Sequence, residues 1–150
     1  MLSNLDPARV TDIILIRQIS ELYAKAFDES KPEILEEIFT EDAVFQSPNY
    51  RTEGRANIRA LPDSVVRNKP FIRSRHYIHN QRVEFDGDTA RATTYGIAKV
   101  LRARDGKTVL DIMAMTYHDS LIKRDGRWRF AERRGTLDWS EVRDVSAPES

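Results

Sequence analysis

Residues 102–130, RARDGKTVLDIMAMTYHDSLIKRDGRWRF, decide the fold. Two turn phrases, Arg104-Asp105-Gly106-Lys107 and Arg124-Asp125-Gly126-Arg127, bracket a run rich in β-branched, aromatic and long apolar residues. Asp-Gly is the pair that tolerates the left-handed backbone of a two-residue hairpin loop. A third signal of the same kind, Asp86-Gly87-Asp88, stands upstream. Together they predict long strands at about 72–85, 89–103, 108–123 and 127–138, joined as consecutive antiparallel hairpins.

The alternation within 72–85 is not regular. Apolar residues occupy even positions first (Ile72, Ile78) and odd positions later (Val83, Phe85). One extra residue in a strand produces such a switch, so a β-bulge and a curved sheet are expected. Upstream of the strands the period changes to that of helices. Ile16, Ile19, Tyr23 and Phe27 form one stripe over about 7–27, with Asp6 as N-cap and Pro7 in the first turn. Ser30-Lys31-Pro32-Glu33 reads as a capping box opening a short helix at about 31–39. Asp42 to Gln46 reads as a strand, and 54–67, with Ile58, Leu61, Val65 and Val66, as a third helix interrupted near Pro62. Helices first and strands last define an α+β chain. About three N-terminal helices packed on a curved antiparallel sheet make a cone with an open interior, a container for a small ligand. The tail from about 140 to 150 has little to bury and is expected to fray.

Composition narrows the function classes. The 150 residues carry 24 Lys+Arg and 24 Asp+Glu, so no net field favours a nucleic acid or an anionic membrane surface. There is no Cys, hence no disulfide, no thiolate nucleophile and no cysteine zinc site. The start, Met1 to Pro7, lacks a basic then apolar leader, and no segment reaches the roughly 20 apolar residues of a membrane span. One cytoplasmic domain over 1–150 is the expectation.

The order of elements and several phrases resemble the SnoaL-like family of the nuclear-transport-factor-2-like superfamily. The phrases are Leu22-Tyr23-Ala24 with Asp28, Phe39-Thr40-Glu41-Asp42-Ala43-Val44-Phe45, Ser74-Arg75-His76-Tyr77-Ile78-His79-Asn80, and Tyr117-His118-Asp119 leading to Asp125-Gly126-Arg127-Trp128-Arg129-Phe130. The family includes dehydratases, isomerases, polyketide cyclases and noncatalytic members. The resemblance implies a cone-shaped, cystatin-like roll with an interior pocket. It also implies site residues, since Tyr23, Asp28 and His76 stand at positions like the tyrosine, aspartate and histidine of bile-acid dehydratase. Scytalone dehydratase, hexachlorocyclohexane dehydrochlorinase and ketosteroid isomerase share the fold. A further strand aspartate of the bile-acid enzyme has no counterpart here, where the chain reads Ile97-Ala98-Lys99.

Each candidate has a plain reading beside the chemical one. His76 shares strand parity with Ile78 and Asn80 and so faces the pocket, as a general acid/base or as a hydrogen-bonded core histidine. Asp28, just past the first helix, orients His76 or caps the next helix, a task for which Ser30 is better placed. Tyr23 lies on the apolar stripe, where its hydroxyl serves a substrate oxygen or its ring serves only the core. Arg134 shares parity with Trp128 and Phe130 and Arg133 faces the other way in a regular strand, a bulge exchanging them. One of the two arginines is the candidate for binding an anionic or enolate oxygen of the substrate, with Asn80 on the His76 face as a further binding residue.

His76, His79 and His118 do not have metal-ligand spacing, and no nucleotide-binding or serine-hydrolase motif occurs, so neither metal nor cofactor is expected. Two functions are carried forward. The first is a cofactor-independent lyase of dehydratase type, or an isomerase, moving a proton on a hydrophobic cyclic or aromatic small molecule. The second is a noncatalytic ligand-binding or assembly module, like the β subunit of a ring-hydroxylating dioxygenase, whose end Arg133-Arg134-Gly135-Thr136-Leu137-Asp138 resembles. Tyr, Trp and Arg on the outer sheet face predict a homodimer or homotrimer.

Overall fold

The computed structural model describes residues 6–68 and 71–146. Helix α1 spans Pro7–Asp28, with the Asp6 carboxylate accepting from the Ala8 N–H at 3.0 Å and Pro7 in the first turn. Its buried side includes Ile16, Ile19 and Tyr23, as the stripe predicts. Buried on the same side is Asp12, tolerated there because its carboxylate accepts from Trp128 Nε1 and Lys123 Nζ at 2.8 Å each and from Arg9 at 3.2 Å. Burial pushes this carboxyl up, but the Lys123 and Trp128 hydrogen bonds and the cationic charge outweigh it and hold it below its ordinary range. The cluster pins the start of α1 to the last hairpin.

The end of α1 differs from the sequence expectation. Ser30 is not an N-cap: it adopts a left-handed φ of 52°, its N–H reaches the Phe27 carbonyl at 3.4 Å and the Lys31 N–H reaches Ala26 at 2.9 Å. This is the Schellman closure of a helix C-terminus. Asp28 is therefore the last residue of α1 and not a residue past it. Helix α2 (Glu33–Ile38) starts after Pro32 with no side-chain cap. The predicted third helix divides into α3 (Arg55–Arg59) and α4 (Leu61–Asn68), with Pro62 in the first turn of α4, where a missing N–H costs least. The side chains of Val65 and Val66 lie outside the described residues, as do residues 1–5 and 147–150.

Six strands follow: β1 (Phe39–Gln46), β2 (Arg51–Glu53), β3 (Phe71–Asp86), β4 (Thr89–Arg104), β5 (Lys107–Arg124) and β6 (Arg127–Val145). They form one sheet in the order β2-β1-β6-β5-β4-β3. All neighbours are antiparallel except β1 and β6, which run parallel. The Asp-Gly loops form as read: Asp105 and Gly106 have φ of 51° and 74°, Asp125 and Gly126 of 53° and 72°. Strand β6 does not stop near Trp139 but continues to Val145 opposite Thr108, because β5 offers it a full-length antiparallel partner.

The parity switch in β3 is a bulge between Ile78 and Gln81. After it Gln81 turns inward and donates to Ser20 Oγ at 3.0 Å and Thr94 Oγ1 at 2.9 Å, tying α1 to β3 and β4. Further irregularities occur in β6 opposite Ser120/Leu121 and Ala114/Met115. Each bends the sheet, which curves around a core of Ile16, Leu35, Ile38, Phe39, Ile58 and Phe130. Burying each of the larger apolar side chains contributes about 1.5–3 kcal/mol. The sheet stays open between β2 and β3, and no helix among the described residues is long and apolar enough to cross a membrane.

Candidate active site

Strand β3 is an edge strand, and α1 closes its unpaired edge. Arg17 donates to the carbonyls of Ile78 and His79 at 3.1 and 2.9 Å. At the end of α1 the Asp28 carboxylate continues this closure: Oδ2 accepts the backbone N–H of His76 at 2.7 Å. Its other oxygen, Oδ1, accepts from Ser74 Oγ at 2.7 Å and lies 2.7 Å from His76 Nδ1. One aspartate thus satisfies the sheet edge and fixes the histidine ring.

The protonation pattern follows from these contacts. An ionised carboxylate only accepts, so Nδ1 carries a proton, and in the neutral ring the lone pair is on Nε2. Burial pushes the Asp28 carboxyl up, while the His76 ring, the His76 N–H, the imidazole charge and Ser74 together hold it below its ordinary range. Asp28 stays ionised at neutral pH. Both side chains keep some access, 12% for Asp28 and 16% for His76.

His76 borders a cavity of about 520 Å³ on the concave side of the sheet, whose wall also holds Tyr23, Phe45, Tyr50, Met115 and Tyr117. Tyr23, five residues before Asp28 on α1, presents its ring edge-on to His76 at 6.4 Å between centroids. Tyr117 meets Tyr23 the same way at 5.9 Å. Burial pushes both phenols above their ordinary value, against the opposing pull of Arg133. They are hydrogen-bond donors at neutral pH and not phenolates.

The other sequence candidates are placed differently. Arg133, not Arg134, turns inward, because Ala131 is an extra residue between the pairs Phe130 with Leu121 and Glu132 with Ser120. The bulge exchanges the two arginines. Arg133 is fully buried, with its guanidinium carbon 4.3 Å from the Tyr23 ring centre, 4.2 Å from that of Tyr117 and 4.6 Å from that of Phe130. It lies behind the two tyrosines and does not line the cavity. Arg134 is exposed on the other face, in a shallow groove with Arg82, Glu84 and Glu132. Asn80 is exposed too and lies outside the cavity: the bulge between Ile78 and Gln81 takes it off the inner face.

Sequence reasoning missed Ser74, Tyr117 and Tyr50. Ser74 has the parity of His76, and Tyr117 alternates with the buried Asp119 and Leu121, so both were accessible to a parity argument. Tyr50 stands in the loop between β1 and β2, where a Ser47-Tyr50 backbone bond of 2.9 Å sets the turn, and local pattern gives no sign of it.

Helices close a bent sheet over a cavity whose wall holds the ring of His76, paired with Asp28. The sequence matches the SnoaL-like domain over residues 8–134, and the chain belongs to that family. Among its relatives is the uncharacterized protein Rv2910c of Mycobacterium tuberculosis, 28% identical over 136 residues that cover 87% of this chain and 88% of the relative. Among solved structures, a type 2 hexachlorocyclohexane dehydrochlorinase, LinA, superposes with a TM-score of 0.79 at 18% identity, covering 95% of this chain and 94% of its own. A candidate scytalone dehydratase of Novosphingobium aromaticivorans gives 0.78 at 21% identity, with 93% and 92% covered. At such identities the two enzymes establish the shared fold.

Proposed function

We propose that the protein is a cofactor-independent lyase of dehydratase type, or an isomerase, acting on a hydrophobic cyclic or aromatic small molecule. The observation that carries this reading is the 2.7 Å contact between Asp28 Oδ1 and Nδ1 of His76, whose side chain lines a largely apolar cavity. With Nδ1–H held by the carboxylate, His76 Nε2 takes a proton from a substrate carbon, and Asp28 stabilises the imidazolium that forms. In an elimination the released C–H electron pair becomes the new double bond while the leaving group departs with its own pair from the adjacent carbon. In an isomerisation the imidazolium returns its proton to another carbon. Tyr23 donates a hydrogen bond to the oxygen on which charge develops. The lyases among the fold's neighbours support this class of chemistry.

An assembly role like that of a dioxygenase β subunit is less well supported, because it has no use for an oriented imidazole beside an open cavity. Association into a homodimer or homotrimer is compatible with catalysis. Tyr95, Trp139 and Val142, each more than half exposed, support it, and light scattering measures it. The mechanism is tested with a panel of cyclic β-hydroxy and β,γ-unsaturated ketones in D2O, following product formation and deuterium uptake at carbon. His76→Ala and Asp28→Ala should abolish both signals on whichever compound turns over. Full activity in both variants would overturn the mechanism.

A further inference from the structure

Besides the imidazole, one cationic side chain lines the cavity among the described residues: Arg102. It stands on β4, where Ala98, Val100 and Arg102 alternate onto the cavity wall. Ala98 is the register partner of His76. Arg102 lies four positions beyond Ala98, roughly 13 Å along the strand. The cavity therefore has two polar ends, a base at one and a guanidinium at the other, with apolar wall between them.

The guanidinium is only partly used by the protein. Nε donates to Asp111 Oδ2 at 2.8 Å, and the two side chains are 11% and 18% exposed. Nη1 is buried with no acceptor among the described residues, and Asp111 Oδ1 is buried without a donor. A fork-to-fork arrangement, in which both oxygens meet both nitrogens, would satisfy these atoms, and it is not made here. Here Nη1, at the terminal fork of the guanidinium, is left without an acceptor among the described residues while Nε is held by Asp111.

We propose that Arg102 anchors a carboxylate at the far end of an elongated apolar substrate whose reacting carbon lies at His76. A carboxylate is planar, presents two oxygens at the spacing of the terminal guanidinium fork and brings a single negative charge. A phosphate dianion would bring a second charge to a site with one already paired cation, in a wall that is largely apolar. This inference rests on the reading of the cavity as the substrate site, and it narrows the substrate class from hydrophobic molecules in general to apolar acids. It also assigns Arg102 the anionic-group role that sequence reasoning gave to Arg133 or Arg134.

The test uses a matched pair of probes, 4-(pyren-1-yl)butanoate and its methyl ester, titrated by pyrene fluorescence at pH 7 into the full chain. The wild type should bind the acid about tenfold or more tightly than the ester, the factor expected for a hydrogen bond to a charged group. Arg102→Gln should bring the two affinities together while leaving the ester unchanged. Arg102→Lys should keep part of the preference, because charge remains without the fork. Asp111→Asn should widen it, because the competing carboxylate is gone. His76→Ala should leave the preference intact, so failure of proton transfer and failure of the anchor are read separately. Equal affinities in the wild type, no binding of the acid, or a preference that survives Arg102→Gln would each overturn the assignment.

Discussion

Asp119 and Arg133 face one another across β5 and β6 with both side chains removed from solvent, Oδ1 to Nε at 3.7 Å. The distance is that of an ion pair and not of a hydrogen bond, and neither side chain has a hydrogen-bond partner among the described residues. The arginine is held instead on the faces of Tyr23, Tyr117 and Phe130. Burial pushes the Asp119 carboxyl up to about 6, with Arg133 pulling the other way. A raised carboxyl titrates in the folded protein where its unfolded counterpart is already ionised, so between about pH 4 and 6 the native state holds more protons than the unfolded state. Stability contributed by this group therefore falls as pH rises through that window. From 3.8 to about 6 the change amounts to about 3 kcal/mol. Subtracting the urea-unfolding pH profile of Asp119→Asn from that of the wild type should isolate this fall, and a flat difference would show that Asp119 titrates normally.

The same pair makes a double-mutant prediction. Arg133→Met alone leaves a carboxyl buried without its counter-charge and should cost about 3–5 kcal/mol at pH 7. Adding Asp119→Asn should recover a large part of that loss, since a buried amide costs far less to desolvate than an unpaired carboxylate. Coupling near zero in the urea-unfolding cycle would mean that the two charges do not sense each other.

Asp28→Asn should reduce turnover by about 100- to 10,000-fold, the range for losing a properly held general base, with a smaller effect on substrate affinity. An amide offers one acceptor where three donors now converge on two oxygens. Its stability effect has the opposite pH sense to that of Asp119. The Asp28 carboxyl is held below 3.8, so its contribution is present above that value and is lost as pH falls through the depressed folded one. The stability deficit of the variant should shrink in acid, as read by chemical unfolding at pH 7 and pH 3.

Gly96 tests how tightly the cavity wall is built. A Cβ there would lie 3.0 Å from Tyr117 Cε2 and 3.2 Å from the Tyr77 carbonyl oxygen. The carbonyl belongs to the neighbouring strand and cannot yield, so the Tyr117 ring must move. Gly96→Ala should cost about 1–3 kcal/mol and should weaken binding of an apolar probe in the cavity, measured by urea unfolding and fluorescence titration. Gly135, whose Cβ would meet Met115 and Tyr117 at 3.1 and 3.4 Å, gives a milder version of the same experiment.

The elements were legible because their signals are local. Asp-Gly loops announce hairpins, the stripe through Ile16, Ile19 and Tyr23 announces a buried helix face, and the parity change between Ile78 and Val83 announces the bulge in β3. The bulge at Ala131 leaves no such mark, because the residues after it, Glu132, Arg133 and Arg134, are all charged and alternation cannot say which is inside. Asn80 was misplaced for a related reason: the parity change fixed that a bulge exists but not that Asn80 lies in it. Ser30 satisfied a capping-box pattern, but the Schellman closure of α1 claimed it first.

By itself the sequence determined most of the order of helices and strands, the hairpins and the curvature of the sheet, which follow from backbone preferences and from which side chains must leave water, both properties of neighbouring residues. Tyr23, Asp28 and His76 were singled out by the resemblance to the SnoaL-like family. Only the tertiary structure decided that Asp28 meets both the ring and the backbone of His76, that Arg133 is walled in behind two tyrosines, and that Arg102 lines the cavity with Nη1 unpaired among the described residues. These contacts join residues from 16 to 110 positions apart, fixed by strand register and bulges. A shift of one residue in either reverses which side chain faces the pocket, and nothing local in the chain records it.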